Sequence, residues 1–161
     1  MNDLGIAELI NDYERGAGQL QVAVAGMTDD ELRSRPIPTQ WTTHELVCHL
    51  ADAETLYADR IKRVLAEDKP TLPSLDPDLH VARLALAERD TAEEIALIDL
   101  TRKQMTRILR TLQLQEFQRQ GIHSQEGPMT LETLLRRVTK HIPHHVKFIA
   151  EKRAALKASA S

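Results

Sequence analysis

At 161 residues, with 42% hydrophobic and 28% charged side chains, the chain has ordinary globular composition and a length that one hydrophobic core can serve. A net charge of −3 and only 3% aromatic residues argue against the basic, ring-bearing surface that a nucleic-acid platform needs. No apolar run approaches the ~18–20 residues that span a bilayer, and the acidic start lacks a signal-peptide pattern. The single cysteine, Cys48, cannot make an internal disulfide, so a reducing cytoplasm is the expected compartment.

Helical periodicity alternates with short Pro- or Gly-marked breaks, and no segment reads as a convincing strand. The first helix is expected from about Asn2 to Gly26, with Leu4, Leu9, Ile10, Tyr13, Leu20 and Val24 as its apolar stripe. Gly16 and Gly18 weaken it, each by ~1 kcal/mol against Ala, and point to close helix contact or a bend. Thr28 to Glu31 is a capping box opening a short turn that Pro36 and Pro38 close. A second box, Thr42 to Glu45, starts the next helix directly after Trp41. Its stripe is Leu46, Leu50, Ala53, Tyr57, Ile61 and Val64, and it ends near Asp68.

Lys69 to Asp78, with Pro70, Pro73 and Pro77, reads as a crossover loop. Asp76-Pro77 then resembles an N-cap with proline in the first turn of a short helix over Pro77 to Leu86. A third long helix is expected from Asp90 or Thr91 to about Leu112, with Ile95, Ile98, Met105, Ile108 and Leu112 inward. Gly121 to Pro128 reads as a polar loop, and a last helix capped by Thr130 runs to about Ala155. The pattern predicts an all-α antiparallel four-helix bundle with a long crossover containing a short extra helix. It would be one domain over residues 1–156, with 157–161 a frayed tail.

The placement of the seven histidines carries the chemistry. His141 and His145 stand four residues apart, about 40° around the axis and ~6 Å along it, on the face of Leu134, Val138 and Phe148. Two imidazoles at that spacing can grip one ion from the same side. His49 lies on the core side of the second long helix. A lone histidine on an apolar stripe is more often a hydrogen-bonded core residue, but three converging imidazoles are hard to bury without an ion. The metal reading requires those two helices to be neighbours, which spacing alone does not show.

These residues carry a family resemblance. Trp41-Thr42-Thr43-His44-Glu45-Leu46-Val47-Cys48-His49-Leu50-Ala51-Asp52-Ala53-Glu54 resembles the W-S-x-x-E-x-x-x-H-L-x-D-x-E signature of the DinB-like (YfiT-like) metalloenzymes. The segment from Gly121 through His123 to Leu131 resembles that family's H-x-x-x-G-x-x-T-L loop, and Lys140 to His145 its closing H-x-x-H-H helix. Together the motifs cover about residues 27–150. The resemblance implies a four-helix bundle, usually a homodimer, with a divalent ion (zinc, nickel or iron) held by His49, His141 and His145. It also implies chemistry on a small-molecule substrate, thiol-dependent transfer being favoured, since some relatives use glutathione, mycothiol or bacillithiol; hydrolysis is the other option. Pro143, inside the last helix between two of these ligands, departs from good helix chemistry and is expected to kink it and re-aim both rings.

Around this set, His123 and Asp52 are the nearest candidates for general acid or base. His144 points ~100° away from His145 and is expected to be partly exposed or beside the pocket. Glu54 could pair with an arginine across the bundle, Cys48 is expected in the core, and Trp41 as a hydrophobic plug. Arg136, Arg137, Lys140 and Lys147 read as a solvated face. The alternative to an enzyme is a non-catalytic, metal-stabilised dimer acting as a stress-response binding or sensing module. Three good ligands rather than four favour the enzyme. Ile6, Val22 and Val47, off the main stripes, offer apolar surface for a dimer contact.

Overall fold

The computed structural model describes residues 3–159. Asn2, the Leu4 side chain and residues 160–161 of the expected tail lie outside the described residues. Six helices follow one another: α1 (Asp3–Val24), α2 (Asp29–Arg33), α3 (Thr43–Ala66), α4 (Pro77–Arg83), α5 (Thr91–Leu109) and α6 (Leu131–Ser159). Local chemistry sets their starts. Thr28 and Thr42 form both reciprocal capping boxes, with Glu31 and Glu45. Asp76 caps α4 with Pro77 in the first turn, Asp90 caps α5, and the Thr130 hydroxyl accepts from the Thr133 amide at the start of α6.

The long helices α1, α3, α5 and α6 make the four-helix bundle. α1 packs on α5 and α6, and α3 packs on the same two, so α1 and α3 stand on one diagonal. Their directions follow from two apolar clusters. One holds Ile10 of α1, Ile61 of α3, Met105 of α5 and Leu134 of α6; the other holds Leu20, Leu46, Ile98 and Ile149. α1 and α6 therefore run from the first cluster to the second, while α3 and α5 run the opposite way. The neighbouring pairs α1–α5 and α3–α6 are antiparallel, and α1–α6 and α3–α5 are parallel. That order needs the chain between α3 and α5 to travel back along the bundle, which is the work of the long crossover.

One polar layer separates the two clusters. Arg102 of α5, fully buried, donates to Glu54 Oε2 through Nε (2.9 Å) and Nη2 (2.8 Å), to the Tyr13 carbonyl (2.6 Å) and to the Val138 carbonyl (3.1 Å). The Tyr13 hydroxyl donates to Glu54 Oε1 at 2.6 Å, and burial beside Glu54 holds the phenol protonated. All four long helices are thus tied at one height. The expected arginine partner of Glu54 is Arg102.

The layer explains Gly16: a methyl group there would overlap the Arg102 guanidinium, whereas at Gly18 nothing lies within 4 Å. Gly16→Ala is expected to destabilise by about 2 kcal/mol or more through overpacking. Gly18→Ala, mid-helix and exposed, should stabilise by about 0.5–1 kcal/mol. Denaturant midpoints of the two variants check the pair, and equal effects would remove the steric reading of Gly16.

Three expectations need correction. Strands do occur: β1 (Thr71–Leu72), β2 (Gln120–His123) and β3 (Gly127–Thr130) form a small sheet, β1 parallel to β2 and β2 antiparallel to β3. Gly121 to Pro128 is therefore largely a hairpin, closed by Gly127 at φ 78°. Each strand has only two to four residues, too short for an alternation to register, and the β1–β2 pairing joins segments far apart in sequence. Ile6 and Val47 are buried in the bundle, leaving Val22 exposed. The start of α3 is covered nearly all round, because α2 and the segment after α4 lie against it. There His44 donates from Nε2 to the Leu86 carbonyl (2.6 Å) and accepts at Nδ1 from Thr91 (2.7 Å). Finally, α6, with Pro143 on its exposed side, continues to Ser159, about one turn past the expected end near Ala155. No helix among the described residues is long and apolar enough to cross a membrane.

Candidate metal centre

α3 and α6 are neighbours, and that adjacency brings the three histidines together. His49 Nε2 lies 3.2 Å from His141 Nε2, which lies 3.1 Å from His145 Nε2. All three ligand atoms fall within 4.8 Å of one another. In a tetrahedral site with metal–nitrogen bonds of ~2.0–2.1 Å, two ligand nitrogens stand ~3.3–3.4 Å apart, so a small outward shift would seat an ion. The donor set fits equally well. Burial, reinforced by the neighbouring imidazoles, lowers His141 to about 3 and His145 to about 4, and burial lowers His49 too. All three rings are therefore neutral at physiological pH, the state a metal ligand requires. His49 Nδ1 and His145 Nδ1 are buried with no protein partner, so their outer hydrogen bonds are not supplied by described side chains.

The triad forms one wall of a cleft of about 420 Å³ that also reaches Trp41, Tyr57, Arg60 and His123. Trp41 packs its ring 5.1 Å from that of His49 and so forms part of the wall beside an expected ligand, more than a plug before the helix. His123, brought in by β2, is buried; its Nδ1 accepts from the Gln125 and Glu126 amides, each at 3.3 Å. At the rim Arg137 grips Glu126 through two 2.7 Å bonds and is no bare solvated charge; Arg136 is held by Glu132 at 3.0 Å, while Lys140 and Lys147 are exposed.

Asp52 is placed elsewhere. It accepts two bonds from Arg89 (2.9 and 3.1 Å), which also grips Glu94, fastening the end of the crossover to α3. A carboxylate so engaged is a structural tie, and it does not line the cleft. His144 is exposed, and Cys48 is fully buried with its thiol pushed up to about 11 by burial. Arg60 and Tyr57 are cleft residues that sequence reasoning missed. Arg60 follows His49 by 11 residues, about 20° away around the helix, which places it on the same face.

A four-helix bundle whose three inward imidazoles share one cleft defines a class of metal-site bundles. The chain belongs to the DinB superfamily, whose family model matches residues 12–149. It is 30% identical over 143 residues to YfiT of Bacillus subtilis, spanning 88% of this chain and 80% of that protein. A relative in Oceanobacillus iheyensis is 20% identical over 144 residues, spanning 89% of this chain and 83% of that protein. Both carry provisional names as metal-dependent hydrolases. The solved structure of the B. subtilis protein superposes with a TM-score of 0.90 at 27% identity, covering 98% of this chain and 90% of that one. It is described as a probable metal-dependent hydrolase with an unusual four-helix bundle topology.

Proposed function

We propose that the protein is a metal-dependent hydrolase of a small molecule, with one divalent ion held by Nε2 of His49, His141 and His145. The observation that carries this is the convergence of three neutral ring nitrogens within 4.8 Å on the wall of an open cleft. The names of its relatives support it. A divalent ion bound by three imidazoles keeps an exchangeable position, at which it acidifies water or polarises a carbonyl. The chain's own residues supply the rest. Burial holds the ligand rings neutral, and Trp41 shields His49. His123, with Nδ1 occupied by two amides, keeps its ring proton on Nε2, which makes it a donor toward a bound molecule rather than a base. Asp52, held by Arg89, acts on the site through its charge, which offsets part of the effect of burial on His49.

The test is a panel of small esters, amides and lactones, assayed with protein stripped by chelator and reloaded with zinc, nickel or iron(II). Turnover should appear only after loading, proceed without added thiol, and vanish in His145→Ala while the fold persists. Turnover that requires glutathione or a related thiol would move the reaction to thiol transfer. A chain that unfolds on chelation and shows no turnover when refolded with metal would make the ion a structural rivet.

A further inference from the structure

Arg60 is 5% exposed, yet among the described residues no carboxylate oxygen lies within 4 Å of its guanidinium. Its Nη2 donates to the Pro73 carbonyl, its Nε is buried without a partner, and the Tyr57 ring lies 5.1 Å from Cζ. Tyr57 is the side chain that favours the charged guanidinium most, partly through a hydrogen bond, and Glu126, the carboxylate that also does, is gripped by Arg137. A buried cation without a counter-charge is costly unless something supplies one. By contrast Arg102, the other buried arginine of the bundle, has Glu54.

His123 adds an independent sign. Two backbone amides point at Nδ1, so the neutral ring carries its proton on Nε2. Nε2 lies 3.3 Å from Arg60 Nη2. Two donors therefore face each other at the cleft wall, and neither can accept from the other. An oxygen acceptor placed against both would satisfy them together and neutralise the guanidinium.

We propose that Arg60 and His123 form an oxyanion-binding subsite, which selects small molecules carrying a carboxylate or phosphate group. For the substrate this inference rests on the hydrolase reading; the subsite itself does not need the ion. Arg60 and His49 are separated by ~16 Å along α3, a gap that the arginine side chain shortens by leaning toward the helix N-terminus. The substrate is accordingly extended, with its anion at one end and its hydrolysable bond at the other. Arg60 and His123 are positioning residues that set which molecules enter and how they lie.

The experiment uses the metal-free full-length protein, ¹⁵N-labelled, and three probes: benzoate, phenyl phosphate and, as the neutral control, benzyl alcohol. At least one anion should shift the Arg60 Nε and His123 Nε2 resonances to saturation, and whichever binds tighter identifies the group. The alcohol should leave them in place. Arg60→Gln should weaken anion binding about tenfold or more, as expected for loss of a charge-assisted contact, with Arg60→Lys between. If Arg60→Gln does not fold, the wild-type Arg60 Nε shift decides alone. Anions that leave both resonances unmoved, that bind folded Arg60→Gln as tightly as wild type, or that bind no better than the alcohol would overturn the proposal. Because no metal is present, failure here leaves the three-histidine site standing, and failure of metal binding leaves this subsite standing.

Discussion

His141→Ala is expected to lower divalent-metal affinity by more than ~100-fold, beyond the ~10–100-fold that outer partners of a ligand command. His141 is the shared neighbour in the triad: its Nε2 is 3.2 Å from that of His49 and 3.1 Å from that of His145. Without it, two imidazoles on different helices remain, and two nitrogen ligands are too few to hold an ion against water. Helix content should stay nearly unchanged, because both apolar clusters are built from Leu, Ile, Val and Met side chains that do not depend on the ion. Competition with a chelating dye measures the first quantity and far-ultraviolet circular dichroism the second. Wild-type affinity in the variant would mean that the ion is held elsewhere.

The largest expected loss of stability lies one layer away. Glu54→Ala should cost about 3–5 kcal/mol, because it leaves Arg102 buried with no carboxylate. Three of the four long helices lose a tie at once, since Glu54 of α3 accepts from both Arg102 of α5 and the Tyr13 hydroxyl of α1. Replacing Arg102 by Met in the same chain should recover much of the loss, since a buried ion pair exchanged for apolar groups is often close to neutral. Urea unfolding of the two single variants and the double variant gives the coupling. A Glu54→Ala loss below about 1 kcal/mol, the scale of a surface pair, would show that the layer contributes little. The layer also fixes the height of α3 against α6, so the double variant, though folded, should bind metal more weakly.

Much of this was legible in the sequence because local chemistry and tertiary need agree. The two Thr–Glu capping boxes, Asp76-Pro77 and Thr130 mark helix starts within one turn of chain, so they can be read without knowing the fold. His141 and His145 share a face by helical geometry alone. Their union with His49 followed from the family motifs and the apolar stripe, and Glu54 was readable as a carboxylate seeking an arginine. What escaped depends on contacts remote in sequence. The three strands are too short to show alternation, and β2 is what carries His123 into the cleft. Ile6 and Val47 were read as surplus because a single stripe was assumed, whereas α2 and the crossover cover the outer side of α3. Asp52 stands one turn from His49, yet Arg89, 37 residues later, takes it up. Arg60 lies on the face of His49 and could have been found by extending that face three turns; nothing in the sequence says that it lacks a carboxylate.

The most direct test is X-ray absorption at the metal edge, on protein expressed without a polyhistidine tag and loaded with one equivalent of zinc. The geometry of His49, His141 and His145 predicts one bound ion per chain, with three imidazole nitrogens at ~2.0–2.1 Å and at least one exchangeable oxygen. No stoichiometric ion, or a shell closed by a fourth protein ligand, would contradict an open catalytic centre at these three histidines.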